Sequence, residues 1–332
     1  MKTLVIILLA LVVATGSSFA QNLIAVQNAG TPKFFLKIDE AIKSAQVGDT
    51  IYLPGGSFGD CTINKRIHLV GVGHHPDSTY ATNISLLGNI YFADGANGST
   101  VSGIRTCYMQ IGTNIEEGVS GLIISRCWIG SCSLLLNCPS NSFTENIIQL
   151  ANGSGGTTKN NIFSNNIIGI ADNFESCSFK NNIFLGAYSF CGSSGLGSSL
   201  NSISISTFEN NYFASMVNVW NCIINNNISL VNINLSDNVG FNNLPNQAAG
   251  SVFVNQEGGA AFSYLNDYHL KSNCPGKNAG KDGTDIGIYG GAFPWKEGSL
   301  PFNPHYQRIN ISPTTDNNGN LNVNIKVAAQ ER

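Results

Sequence analysis

Three acids of this chain, Glu145, Asp172 and Glu175, have types and spacings that could do chemistry together. Asp172 and Glu175 lie three residues apart, and Glu145 becomes their neighbour if the intervening chain is folded into stacked turns. Two carboxyl groups about 5–10 Å apart can cleave a glycosidic bond, one donating a proton while the other serves as base or nucleophile. Glu116, Glu117 and Glu209 are the other acids of the same stretch that could contribute. Scarcity alone distinguishes these residues, so the leading expectation is a protein without a catalytic site.

Other chemical patterns fail on their surroundings. Gly55-Gly56-Ser57-Phe58-Gly59 matches G-x-S-x-G, but that motif needs a strand-to-helix elbow, and here it follows Pro54 in a turn. His74 and His75 are adjacent and would point opposite ways on a strand. There is no calcium-loop pattern and no close Cys-x-x-Cys pair for zinc, so no metal or cofactor is expected. The sequon Asn83-Ile84-Ser85 is what chance supplies in so Asn-rich a chain.

The elements that must position these residues are strands. One frame keeps returning: an apolar residue, two variable ones, Asn or Cys, then an aromatic or Ile. It reads Ile104-x-x-Cys107-Tyr108, Ile124-x-x-Cys127-Trp128, Phe143-x-x-Asn146-Ile147, Phe179-x-x-Asn182-Ile183, Phe208-x-x-Asn211-Tyr212 and Ile224-x-x-Asn227-Ile228, with a degenerate copy at Thr158-x-x-Asn161-Ile162. A period near twenty residues with no helical pattern inside it means coils of strand stacked on coils of strand. Asn suits the sharp corner because it tolerates a left-handed backbone. Its amide can also bond the amides above and below, forming an Asn ladder. The residues two before the corner, among them Lys159, Lys180 and Glu209, are expected to point into solvent. Tyr108, Trp128 and Tyr212 follow the corner in register; core packing is the favoured reading for them, stacking on sugar the other.

The chain has 332 residues, 42% of them hydrophobic and only 11% charged, with a formal charge of -3. That balance excludes an extended disordered chain, and the lack of a basic stripe excludes a nucleic-acid reader. Lys2, an apolar run from Leu4 to Val13, and Ser18-Phe19-Ala20 describe a secretory signal peptide over residues 1–20. The mature chain has no second long apolar run, so no transmembrane segment is expected, and the protein should be exported to the periplasm, the cell surface or the medium. Of nine cysteines, Cys107 and Cys127 fall at equivalent frame positions, where stacked strands allow either a disulfide or a pair of buried thiols. The segment Phe35 to Ser44 reads as an amphipathic helix that would cap the first coil.

Ile38-Asp39-Glu40-Ala41-Ile42, then Gly48-Asp49-Thr50-Ile51-Tyr52-Leu53-Pro54-Gly55-Gly56, resembles the N-terminal cap and first strand of right-handed parallel β-helix proteins of the pectate-lyase-like superfamily. So does Ile63 to Gly73, while Tyr268-His269-Leu270-Lys271-Ser272, followed by Asn278-Ala279-Gly280 and Asp285-Ile286-Gly287-Ile288-Tyr289-Gly290-Gly291, resembles the closing coil of many secreted bacterial members. The resemblance implies an all-β solenoid of about 10–12 coils over residues 21–295. Residues 296–332 would form a C-terminal extension whose two strands pair and cover the open end. Superfamily members include lyases, hydrolases and adhesins, so the fold leaves the activity open. Lyases of this type gather acids around calcium beside an Arg or Lys base. Arg105 and Arg126 lie one coil apart here but out of step, so they should not converge. Calcium would matter only for that reading. The sequence therefore favours an exported, non-catalytic β-helix presenting a polar face to an extracellular polysaccharide or cell-surface glycan; a polysaccharide lyase or glycoside hydrolase is the alternative.

Overall fold

The middle residue of a three-residue strand turns inward once per coil and sets the stack. Ile51, Leu69, Val101, Ile124, Phe143, Phe163, Phe179, Phe208 and Ile224 are direct partners on successive parallel strands. All nine are buried. The phenylalanine rings stack nearly parallel, with centroids 4.6 Å apart for Phe143 on Phe163, 5.0 Å for Phe163 on Phe179 and 4.9 Å for Phe179 on Phe208. A computed structural model describes residues 23–328 except 29, 114–117, 154–157, 257–259 and 303. The signal-peptide segment and the acids Glu116 and Glu117 lie outside the described residues.

These strands belong to a 12-stranded sheet, and the rest of each coil belongs to a 13-stranded sheet bent into two limbs. On the near limb, Ile129, Ile148, Ile168, Phe184 and Phe213 point into the core, while Trp128, Ile147, Ile167, Ile183, Tyr212 and Ile228 point the other way. On the far limb, Cys132, Ala151, Ala171 and Leu200 continue the core. The result is a three-faced parallel β-solenoid of about nine turns. The stack is shorter than ten to twelve coils because the regular strands stop at Val239–Phe241. Residues from Ala249 onward instead run back along the outside. Ala249, Val252, Phe253, Tyr268, Ile286 and Ile288 cover the outward near-limb row as a second apolar core.

Two adjacent residues divide the work at the corner between the three-residue strands and the near limb. The first takes a left-handed backbone: φ is 53° at Asn165, 56° at Asn181, 58° at Asn210 and 54° at Asn226. The second points inward. Asn146, Asn166, Asn182, Asn211 and Asn227 each accept, at Oδ1, the backbone N–H of the corner residue one coil earlier. Each also donates from Nδ2 to a buried carbonyl, as Asn182 does to Phe163 at 2.8 Å. The column leaves the backbone polar groups of a buried corner satisfied, which is what makes such a corner tolerable.

The register corrects two copies of the frame. Arg105 pairs with Trp128, so Ile104 occupies the corner position of Cys127, and Cys107 lies three residues further on. Ile162 pairs with Ser142, which places Asn161 level with Asn141 at a different corner. The frame in that coil is Phe163-x-x-Asn166-Ile167. Cys107 therefore cannot face Cys127. It forms a disulfide with Cys191 at the tip of the hairpin Ala187–Phe190/Ser193–Leu196, while Cys127 is one of seven buried thiols.

At the N-terminal end, the helix Ile38–Ser44 buries Ile38, Ala41 and Ile42 over the first coil. The helix starts three residues later than the segment Phe35 to Ser44 suggests, and Leu36 precedes it and is exposed. The C-terminal strands His305–Thr315 and Leu321–Ala328 pair antiparallel. They do not cover the far end of the stack. Tyr306, Ile309 and Val327 border a groove with Tyr52, Val70 and Val72 of the first coils, because the chain has returned there by way of Pro301.

Candidate functional site

Glu145 belongs to the corner. It takes the left-handed position, with φ 55°, one coil beyond Arg126, with φ 51°. Arg126 donates from Nε to Glu145 Oε2 at 2.8 Å and from Nη1 to the carbonyl of Leu300 at 2.7 Å. Its guanidinium lies 3.9 Å over the ring of Phe302. Both side chains are buried. The neighbouring corners hold the same returning segment through amides: Asn165 donates to the carbonyls of Ile288 and Gly290, Asn181 to that of Gly287 and Asn226 to that of Ala279. Glu145 and Arg126 thus form the charged version of a clamp. Arg105 is elsewhere, across from Trp128 on the near limb with its guanidinium 4.4 Å from the indole.

Asp172 and Glu175 stand on the far limb, and Glu145 does not join them. The partner of Asp172 in the Glu145 coil is Asn152, seven residues further along the chain than Glu145. Asp172 is part of an outward row, Gln110, Ser133, Asn152, Asp172 and Asn201, formed by direct strand partners. It accepts a bond from Asn201 Nδ2 at 2.8 Å. Asn173 donates to Asn152 at 3.3 Å and Asn218 to Asn201 at 3.2 Å, so amides bridge one strand to the next.

Left-handed residues then turn the limb, with φ 60° at Asn173, 51° at Ser202 and 49° at Asn218. Beyond that bend a second outward row forms from the partners Glu175, Ser204 and Trp220. Glu175 is bound by Lys159 at 2.9 Å. Trp220 is 41% exposed at the side of a groove of about 460 Å³ lined by Ser202, Asn218, Val219, Asn234 and Asp237. Asn238 holds the opposite wall, donating to the carbonyl of Val219 at 2.9 Å while its Oδ1 accepts the N–H of Cys222. The sequence reading missed Trp220 because it lies two residues before Cys222, outside the repeating frame. Its alternation with the inward Ile203 and Val219 level was the available signal.

Trp128 and Tyr212, which follow the corner, are buried beneath the returning segment; Tyr108, out of register with them, is half-buried and donates to Gln110 at 2.9 Å. Lys180 and Glu209 do point outward, paired at 3.1 Å, and Lys281 of the returning segment joins Glu209 at 2.7 Å. The seven thiols are held protonated by burial, which pushes Cys61 and Cys127 up to about 12 and Cys177 to about 11. Ser57, in the G-x-S-x-G match, lies on a two-residue strand rather than an elbow.

A second titratable cluster sits on the returning segment. His269 contacts Asp267 through Nδ1 at 2.7 Å and stacks on Tyr289 at 3.8 Å, and Tyr289 donates to Glu297. Burial pushes the Asp267 carboxyl up, but its bonds and charge interaction with His269 together outweigh this and leave it below its usual range. Among the described residues, no three His, Cys, Asp or Glu side chains gather as they would around a metal ion.

The fold is a parallel β-helix. No protein-family model matches the chain. No curated protein matches it either. Among solved structures it is similar to a mutant form of AlyGC, an alginate lyase of family PL6, at 13% identity and a TM-score of 0.26. That match covers 83% of this chain and spans 58% of the lyase's length. A likeness this low transfers none of the lyase's residues or chemistry. No helix among the described residues is long and apolar enough to cross a membrane.

Proposed function

We propose that this protein is an exported β-helix that holds an extracellular polysaccharide on its far-limb face without cleaving it. The observation that carries the reading is the engagement of the candidate acids. Glu145 is sealed in the clamp, Glu175 is neutralised by Lys159, and Asp172 is bridged to Asn201. Beside them lies an outward row of amides and hydroxyls, and across the bend from it an exposed indole, surface chemistry suited to sugar hydroxyls and C–H faces. Export is supported by the leader-like residues 1–20 and by the Cys107–Cys191 disulfide, since such bonds persist in oxidising compartments.

One observation favours cleavage as the second reading: Asp172 and Glu175 face outward on the same limb, on either side of the Asn173 bend. Incubation of residues 21–332 with acidic and neutral polysaccharides, with and without calcium, separates the two. Retention of polymer on immobilised protein with unchanged chain length is the expected result. Shortened chains or new unsaturated ends would replace this reading with catalysis at Asp172 and Glu175.

A further inference from the structure

We infer that the Trp220 groove is a binding site for a neutral pyranose ring within a polysaccharide chain, with the indole as its stacking platform. This rests on the glycan-holding reading above and adds the place and the class of sugar. Trp220 is the tryptophan available for it: Trp128 is 5% exposed and Trp295 9%, against 41% for Trp220. A large aromatic ring left that open on a limb whose other outward residues are mostly polar is the exception to be explained. The groove beside it, about 460 Å³, falls within the roughly 300–1,000 Å³ of small-molecule sites.

The polar lining supplies donors and acceptors in the mixture that a sugar requires. Asn234 Oδ1 accepts from both the N–H and the hydroxyl of Ser236, which orients the amide and leaves Nδ2 to donate. Asn218 commits Nδ2 to Asn201 and keeps its carbonyl oxygen as an acceptor. Asp237 contributes an acceptor-only carboxylate, and Ser202 a hydroxyl that does either. Vicinal ring hydroxyls, each both donor and acceptor, match such a set, while the apolar C–H face of the ring covers the indole.

Charge selects against uronate polymers. Asp237 lies in the groove, and Asp172 and Glu175 stand two strands away from the Asn218–Trp220 strand, about 10 Å at the spacing of paired strands. Among the described residues the one cation joined to these acids, Lys159, is spent on Glu175. A carboxylate on every sugar would meet a net negative field within about one screening length at physiological salt. The polar row from Asn218 through Asn201 and Asp172 to Asn152 runs from strand to strand along the solenoid axis, so a chain leaving the groove along it keeps finding hydrogen-bond partners. A polymer is therefore favoured over a free monosaccharide.

The test is affinity electrophoresis of the mature protein through neutral glucans, xylan and galactomannan, with alginate and polygalacturonate as acidic counterparts. Tryptophan fluorescence is followed in parallel, together with the variants Trp220→Ala and Trp220→Phe. Retardation by a neutral polymer with a blue shift of emission is expected. Trp220→Ala should bind about tenfold more weakly at an unchanged unfolding temperature, and Trp220→Phe should fall between. Equal retardation of Trp220→Ala would overturn the site and leave the glycan-holding reading standing. Retardation by the acidic polymers alone would overturn the neutral-sugar assignment. No retardation of the wild type by any polymer would remove the glycan-holding reading and the site with it.

Discussion

Arg126 bonds Glu145 at 2.8 Å and reaches past it to the carbonyl of Leu300, 174 residues further along the chain. The returning segment is thereby fixed to the corner, and the pair does mechanical work. Removing one partner leaves a buried charge uncompensated. Glu145→Ala should cost about 3–5 kcal/mol in a urea titration and release the segment around Leu300 to hydrogen exchange. Asp172→Ala, on the outward far limb, should stay within about 1 kcal/mol of wild type in the same titration.

Acid should weaken the protein through His74. The imidazole is fully buried, touching Tyr264 through Nδ1 at 2.9 Å, with His75 and Arg105 near enough to disfavour its charge. Burial, chiefly, pulls it down to about 3. Its folded value is thus below its unfolded one, so the neutral form is favoured by folding. That stability is present above about pH 6.5 and is lost as the pH falls towards 3, at up to about 1.4 kcal/mol per unit. Unfolding free energies measured from pH 7 to 4 check it, and the slope should shrink by that amount in His74→Asn.

Much of the fold was legible because its causes repeat. Inward Phe143, Phe179 and Phe208 and corner Asn146, Asn182 and Asn211 recur at the same offset, so a few copies disclose the rest. Phase was lost where the corner residue changed: Ile104 replaces Asn, and Cys107 three residues later imitated it. The candidate site was less legible. Glu145 became a clamp residue through contact with a segment that returns from the far end of the chain, and local sequence carries no trace of that path. Trp220 owes its exposure to the loop from Asn234 to Asn238 standing away from it, which again is decided at a distance.

The division of work between paired asparagines predicts two different failures. Asn182 accepts the N–H of Asn166 and donates to the carbonyl of Phe163 inside the corner, so Asn182→Ala leaves buried backbone groups without partners. A loss of about 2–4 kcal/mol is expected at two such groups, read as a lower urea midpoint of the whole solenoid. Asn181 holds the left-handed position and donates outward to the carbonyl of Gly287. Asn181→Gly keeps the backbone conformation and loses that outward bond, so it should cost about 1 kcal/mol, with exchange rising first around Gly287.

The Cys107–Cys191 bridge closes 84 residues and ties a hairpin down across the bend of the long sheet. Ser189 donates to Gln149 Oε1 at 2.9 Å, and Gly130 and Gly169 leave room for the hairpin: a Cβ at Gly130 would meet Phe190, and one at Gly169 the carbonyl of Ala187. Beyond that bridge the hairpin turn has little to hold it, since Leu196 and the turn residues are exposed. Cys191→Ser should therefore open the hairpin to proteolysis between Tyr188 and Leu196 while the coils beneath stay folded. The chain-entropy model puts the stability loss at about 4–5 kcal/mol for a loop of this length. Thiol counting fixes the assignment independently. The unfolded, unreduced wild type should react with seven equivalents of a thiol reagent, and with nine after reduction. The native protein should react with almost none, because all seven thiols are buried; a count of five in the first assay would mean a second bridge and would make the hairpin only one of two covalent ties.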